Sequence, residues 1–130
     1  MSEARDSQPE SPALAMVLFS AGPWRIGIEA RWVGGSRRAA ADGPGEAIES
    51  LLGLPAEGSR TGPCQTLSLK HPEGGRALRV GEPVALAEIP ISRLHRLPSL
   101  IAARIGLRGA RALALADDGQ AVLIFDPSRW

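Results

Sequence analysis

A chain of 130 residues with 44% apolar content is long enough to bury a core without disulfides or metals, and too apolar for a disordered chain. Its net charge of +1 supplies no strong pull toward nucleic acid or membrane surfaces. With 15 glycines and 11 prolines, it favours many turns and short elements, hence an all-β domain over a helical bundle.

Residues 1–13 carry Ser, Glu, Asp and Pro with almost nothing apolar and read as a disordered tail, leaving 14–130 as the folded domain. The start of the chain lacks the basic-then-apolar order of a signal peptide, and no apolar run is long enough to span a bilayer. A soluble, cytoplasmic protein without membrane insertion is therefore expected.

Ala15–Ala21 and Trp24–Glu29 form a first hairpin around Gly22-Pro23, with Trp24, Ile26 and Ile28 on one face of its second strand. Ala30–Val33 follows as a short turn or helix. Gly34–Gly45 has the composition of a loop, and Arg37-Arg38 within it are read as solvated. Glu46–Gly53 is a short helix: Pro44 precedes it, Glu46 and Glu49 occupy its first turns, and Gly53-Leu54-Pro55 ends it.

Cys64–Lys70 alternates, with Leu67 and Leu69 inward and Thr66, Ser68 and Lys70 outward. His71–Gly75 is a hairpin turn, after which Arg76–Val80 returns. A kink at Gly81-Glu82-Pro83 then separates a further strand, Val84–Ile89. Pro90–Leu97 reads as irregular, and Pro98–Ile105 as two helical turns. The final stretch is a hairpin. Arg111, Leu113 and Leu115 alternate with alanines, Asp117-Asp118-Gly119 makes the turn, and Ala121–Phe125 is apolar on both faces, as expected of a central strand. No internal repeat of useful length is present. The sum is about seven strands and two short helices, which fits a small curled barrel system.

Little in the chain points to catalysis. His71 and His95 each stand alone in sequence, and no motif brings either to a carboxylate or serine. Gly74-Gly75 and Gly106–Gly109 lack the lysine and the strand-to-helix context of a phosphate loop. Asp117-Asp118-Gly119 has too few oxygen ligands for a metal loop. The single cysteine, Cys64, excludes an intrachain disulfide or a thiolate zinc cluster and reads as a buried thiol. No catalytic residue, metal or cofactor is therefore assigned. Arg93, Arg96, Arg104, Arg108 and Arg111, with His95 and no acid among them, form the one basic stretch. It reads as solvated arginines, as a patch for an acidic protein surface, or, in a second reading of the chain, as the contact of a small β-barrel binding nucleic acid; absent stacking aromatics and the near-neutral charge argue against the last. A third is a noncatalytic domain capping a larger enzyme.

Three segments together resemble the CheW family of chemotaxis coupling proteins. Leu18-Phe19 through Trp24–Glu29 to Val33 is similar to that family's opening hairpin. Val80–Ile89 resembles its Val-Asp-Glu-Val strand pair, with Gly81 in place of the Asp and an added Pro83. Ile105–Trp130 resembles its closing pattern of a strand, an Asp-Gly turn and an apolar strand ending in Asp-Pro, and Leu51-Leu52-Gly53-Leu54-Pro55 matches the end of its midway helix. Between the first hairpin and that helix the family has two more strands and an Asn-Leu-Arg-Gly motif, whereas residues 34–46 look too short to hold them.

The resemblance thus implies an all-β fold with two short helices, a CheW-like pair of small SH3-like β-barrels with one incomplete. It further implies a non-enzymatic adaptor that binds the cytoplasmic signalling domain of a chemoreceptor, with coupling to the histidine kinase weakened or lost. The receptor site it suggests is an apolar groove of Ile28, Val33, Val80, Val84 and Leu86 that accepts helices.

Overall fold

The structure, a computed structural model, describes residues 12–22, 24–39, 45–53, 63–71, 74–96, 109–115 and 118–130. Its elements run β1 (Ala13–Ala21), β2 (Trp24–Glu29), β3 (Val33–Ala39), β4 (Glu46–Ala47), α1 (Ile48–Leu52), β5 (Cys64–His71), β6 (Gly74–Pro90), β7 (Leu94–Arg96), β8 (Ala110–Leu115) and β9 (Ala121–Phe125). Single 3-10 turns occupy Ala30–Trp32, Ile91–Arg93 and Pro127–Arg129. The nine strands form one sheet in the order β3-β5-β6-β1-β2-β9-β8-β7, with β4 alongside β6. Most neighbours are antiparallel; β2 with β9 and β4 with β6 are parallel. Among the described residues the sheet does not close: β3 pairs only with β5 and β7 only with β8.

Two apolar cores lie on opposite faces of the middle strands, and the alternation of side chains explains how. In β1, Val17, Phe19 and Ala21 enter one core while Met16 and Leu18 enter the other. In β9, Leu123 and Phe125 join the first, Val122 and Ile124 the second. A strand apolar on both faces sits between two layers, as the sequence of β9 requires. Gly27 of β2 marks how tightly the second core is packed: a Cβ there would stand 2.9 Å from Leu18 Cδ2 and 3.0 Å from Ile124 Cδ1. The first core is completed by Ile48 and Leu52 of α1, Leu67 and Leu69 of β5, Leu78 and Val80 of β6, and Trp130.

β6 joins the two cores. Its 17 residues pair with β5 from Gly74 to Gly81 and with β1 from Gly81 to Pro90. Fully extended it would reach about 56 Å, against a diameter of roughly 36 Å for a compact chain of this length, so it must bend. The change of partner falls at Gly81, where β1 shows a register shift between Leu18 and Ser20.

Several expectations need correction. Residues 34–39, expected within a loop, continue from Val33 as β3, because residues of low strand propensity gain an antiparallel partner in β5. With β4, the interval expected to hold no strands holds two. The strands on either side of Gly81-Glu82-Pro83 are one. Residues 91–96, read as irregular, are a 3-10 turn and β7. Thr66 is buried, not outward. In β8 the buried residue is Ala114, while Leu115 is exposed. Trp24 is 46% exposed at the hairpin end, unlike Ile26 and Ile28 on its face. The helix begins two residues later than expected and ends at Gly53, in the left-handed conformation. The expected helix at 98–105, the turn residues 72–73 and 116–117, and the tail up to residue 11 lie outside the described residues.

Candidate functional site

The chain leaves β2 through a single 3-10 turn. Glu29 before it and Val33 after it are both extended, and the Val33 amide donates to the Ala30 carbonyl across the turn. Val33 then pairs with Leu69, and a register shift separates it from Gly35, which pairs with Ser68. This places the start of β3 opposite the second half of β6. Between them lies an open groove of about 360 Å³. Val33–Ser36 form one wall and Val84–Leu86 the other, with Val17, Ala30 and Leu67 at its base. From Pro83 onward β6 pairs with β1 alone, and β3 pairs with β5 alone, so both walls are strand edges without a further strand among the described residues.

Of the residues the sequence suggested for a groove, Val33, Val84 and Leu86 are brought together here. Leu86 is the most exposed large apolar side chain of the described residues, at 72%. Ile28 and Val80 expose nothing, at 0% each, and serve as packing in the first core. A side chain without surface offers no contact to a partner. The sequence missed Ala30, Ala85 and the Gly34-Gly35-Ser36 run. Their only signal was small size, which in sequence is indistinguishable from a loop.

The residues lining the groove carry no charge, and charged contacts lie at the ends of β2 and β9. Arg31 lies 3.1 Å from Glu29 and 5.2 Å above the Trp32 ring. Arg111 approaches Glu29 at 3.9 Å, joining β8 to the end of β2. Asp126 caps the Pro127–Arg129 turn, accepting hydrogen bonds from the Ser128 amide at 3.0 Å and the Ser128 hydroxyl at 2.7 Å. Partial burial alone would raise the Asp126 carboxyl. The two Ser128 hydrogen bonds, with Arg111 and Arg129 nearby, outweigh it and hold the group below its ordinary value. The basic stretch is thus less uniform in space than in sequence, since Arg111 faces two acids. Arg93, His95 and Arg96 are exposed, and Arg104 and Arg108 lie outside the described residues.

Among the described residues no three His, Cys, Asp or Glu side chains gather in a way that could hold a metal ion. His71 and His95 stand on β5 and β7, far apart in the order of the sheet. Cys64 is buried. No helix of the described residues is long and apolar enough to cross a membrane.

No protein-family model matches the sequence, and no curated protein matches it. Among solved structures the chain is similar to the scaffolding protein TtCheW from Thermoanaerobacter tengcongensis. That match has a TM-score of 0.67 at 12% identity and covers 88% of this chain and 90% of that one. The fold is CheW-like. Little of that neighbour lacks a counterpart here, in keeping with the two strands found where none was expected.

Proposed function

We propose that this protein is a non-enzymatic adaptor in a bacterial chemotaxis-type signalling system, working in the cytoplasm. In this reading the groove between β3 and β6 receives the cytoplasmic signalling tip of a chemoreceptor. The observation that carries the proposal is the position of Leu86. A leucine with most of its surface in water, set across a groove from Val33, is the arrangement that a helix with one apolar face would cover. The CheW-like fold supports the same reading.

Coupling to a histidine kinase is a separate matter. The expectation that it is weakened or lost rested on an interval without strands, and β3 and β4 occupy that interval. The proposal is therefore confined to the receptor contact. A pull-down with a purified receptor signalling hairpin, kinase absent, tests it. Wild-type protein should be retained, and Val33→Asp, which sets a carboxylate in the groove wall, should be lost. No retention of the wild type, or equal retention of the variant, would overturn the reading.

A further inference from the structure

Away from the first core, one row of side chains crosses three adjacent strands: Arg37 of β3 pairs with Thr66 of β5, and Thr66 with Arg79 of β6. Residues paired across a ladder share a face. Leu67, which alternates with Thr66, and Leu78 and Val80, which alternate with Arg79, belong to the first core, so the row lies on the other side of the sheet. Its width is two strand spacings, about 10 Å. Arg37 is exposed on the outermost strand, and Arg79 is held at its Nε, which donates to the Gly45 carbonyl at 3.0 Å. The neighbouring rows of this face pair Cys64 with Gly81 and Ser68 with Ala77, so they bring no carboxylate. Lys70, two residues beyond Ser68, adds a third cation to the same face.

Thr66 is out of keeping with its place in this row. It is only 8% exposed, and its hydroxyl oxygen has no hydrogen-bond partner among the described residues. A buried hydroxyl left unbonded lowers stability, and such atoms are rare in native structures. Valine has nearly the same shape and would carry no such cost, so packing does not call for the hydroxyl. What the row sets beside it is an arginine on either flank. A guanidinium only donates hydrogen bonds, and a hydroxyl can donate one. A carboxylate is flat and is satisfied by the fork of a single arginine, whereas a phosphate carries oxygens all round a tetrahedron and takes donors from several directions. We propose that Arg37, Thr66 and Arg79 form a binding site for a phosphate group, the arginines neutralising its charge and the Thr66 hydroxyl supplying a third donor. The site faces away from Leu67 and the groove, and it stands apart from the receptor reading. Free phosphate and a small phosphate ester present the same group, and the test separates them.

Calorimetric titration of the full chain with inorganic phosphate, at an ionic strength fixed by chloride, tests the site, alongside thermal unfolding of each variant without ligand. Wild type should bind phosphate saturably. Arg37→Gln, a change at an exposed position, should keep the melting temperature and weaken binding about tenfold or more. Thr66→Val should leave the melting temperature unchanged or higher, because the unbonded hydroxyl is gone, while weakening binding several-fold. Arg38→Gln removes the same charge from the opposite face of β3, where Arg38 pairs with Gln65, and should change neither quantity. Adenosine monophosphate binding more tightly than phosphate would support the site with an ester as its ligand; equal or weaker binding would support it with the free anion. No saturable binding of either by wild type would overturn the site. So would equal losses in Arg37→Gln and Arg38→Gln, since diffuse charge would then account for the binding. Unchanged binding by Thr66→Val, or a lower melting temperature, would overturn the part given to the hydroxyl.

Discussion

Val17 and Leu86 are paired across β1 and β6, yet 8% of one is exposed and 72% of the other. Residues paired in an antiparallel ladder point to the same face, so both belong to the face of the first core. The difference lies in what stands beside them. β1 has a strand on either side, and Val17 pairs with Ile28 of β2 as well as with Leu86. Among the described residues β6 at Leu86 has a strand on one side only, and that open side is the groove wall.

Leu86→Lys should therefore leave folding nearly untouched, within about 0.5 kcal/mol, as expected for a surface position. Receptor binding should fall strongly, since a charged head would occupy the groove. Chemical denaturation and hairpin titration of the same variant check both halves. A large loss of stability would mean that Leu86 is held by the fold.

Ile28→Ala should do the reverse. With no exposed surface, Ile28 loses both transfer and packing energy on truncation, about 2–5 kcal/mol. Val80→Ala should cost less, because fewer methyl groups are removed. At a temperature where each variant remains folded, binding should match the wild type. Unfolding midpoints and hairpin affinities measured together separate this core role from a contact role.

Asp126 gives a pH dependence of known sign. A carboxyl whose folded value is depressed adds stability above its unfolded value, near 3.9, and that stability is lost as pH falls through the folded value. Wild-type stability should thus decline on acidification below about pH 4, and Asp126→Asn should lack this part of the decline. Ser128→Ala, which removes the hydroxyl bond, should retain only a fraction of it. Parallel acid slopes for wild type and Asp126→Asn would contradict the assignment.

Trp130 closes the first core from the end of β9. Its ring sits 5.9 Å from that of Phe125, inclined by 46°, and the residue is buried. Trp130→Ala should cost about 3–5 kcal/mol, the range for a buried tryptophan. The most blue-shifted part of the tryptophan emission should vanish with it, because Trp24 and Trp32 are more exposed. Emission spectra and thermal melts decide the matter.

The parts of the fold that could be read from the sequence are those where composition and period agree. Ala121–Phe125 is apolar at every position and lies where such a strand must, between β2 and β8. The first hairpin, the turn around Gly119 and the alternation at Leu67 and Leu69 were legible for the same reason. β3 was not, because Gly34, Gly35, Arg37 and Arg38 carry no strand signal of their own. Only the partner strand β5, distant in sequence, makes them one. The groove was half legible. Val33, Val84 and Leu86 could be named as apolar positions, but the same apolarity made Ile28 and Val80 look equivalent. Burial, which separates them, is a property of the folded chain.

The long strand β6 has a last consequence, for how the molecule comes apart. Because one continuous ribbon lines both apolar compartments, neither can melt while the other keeps its wall. Native-state hydrogen exchange should find the amides of Leu78 and Ala87 opening in a single event of equal free energy. A protein built this way has one breaking point rather than two.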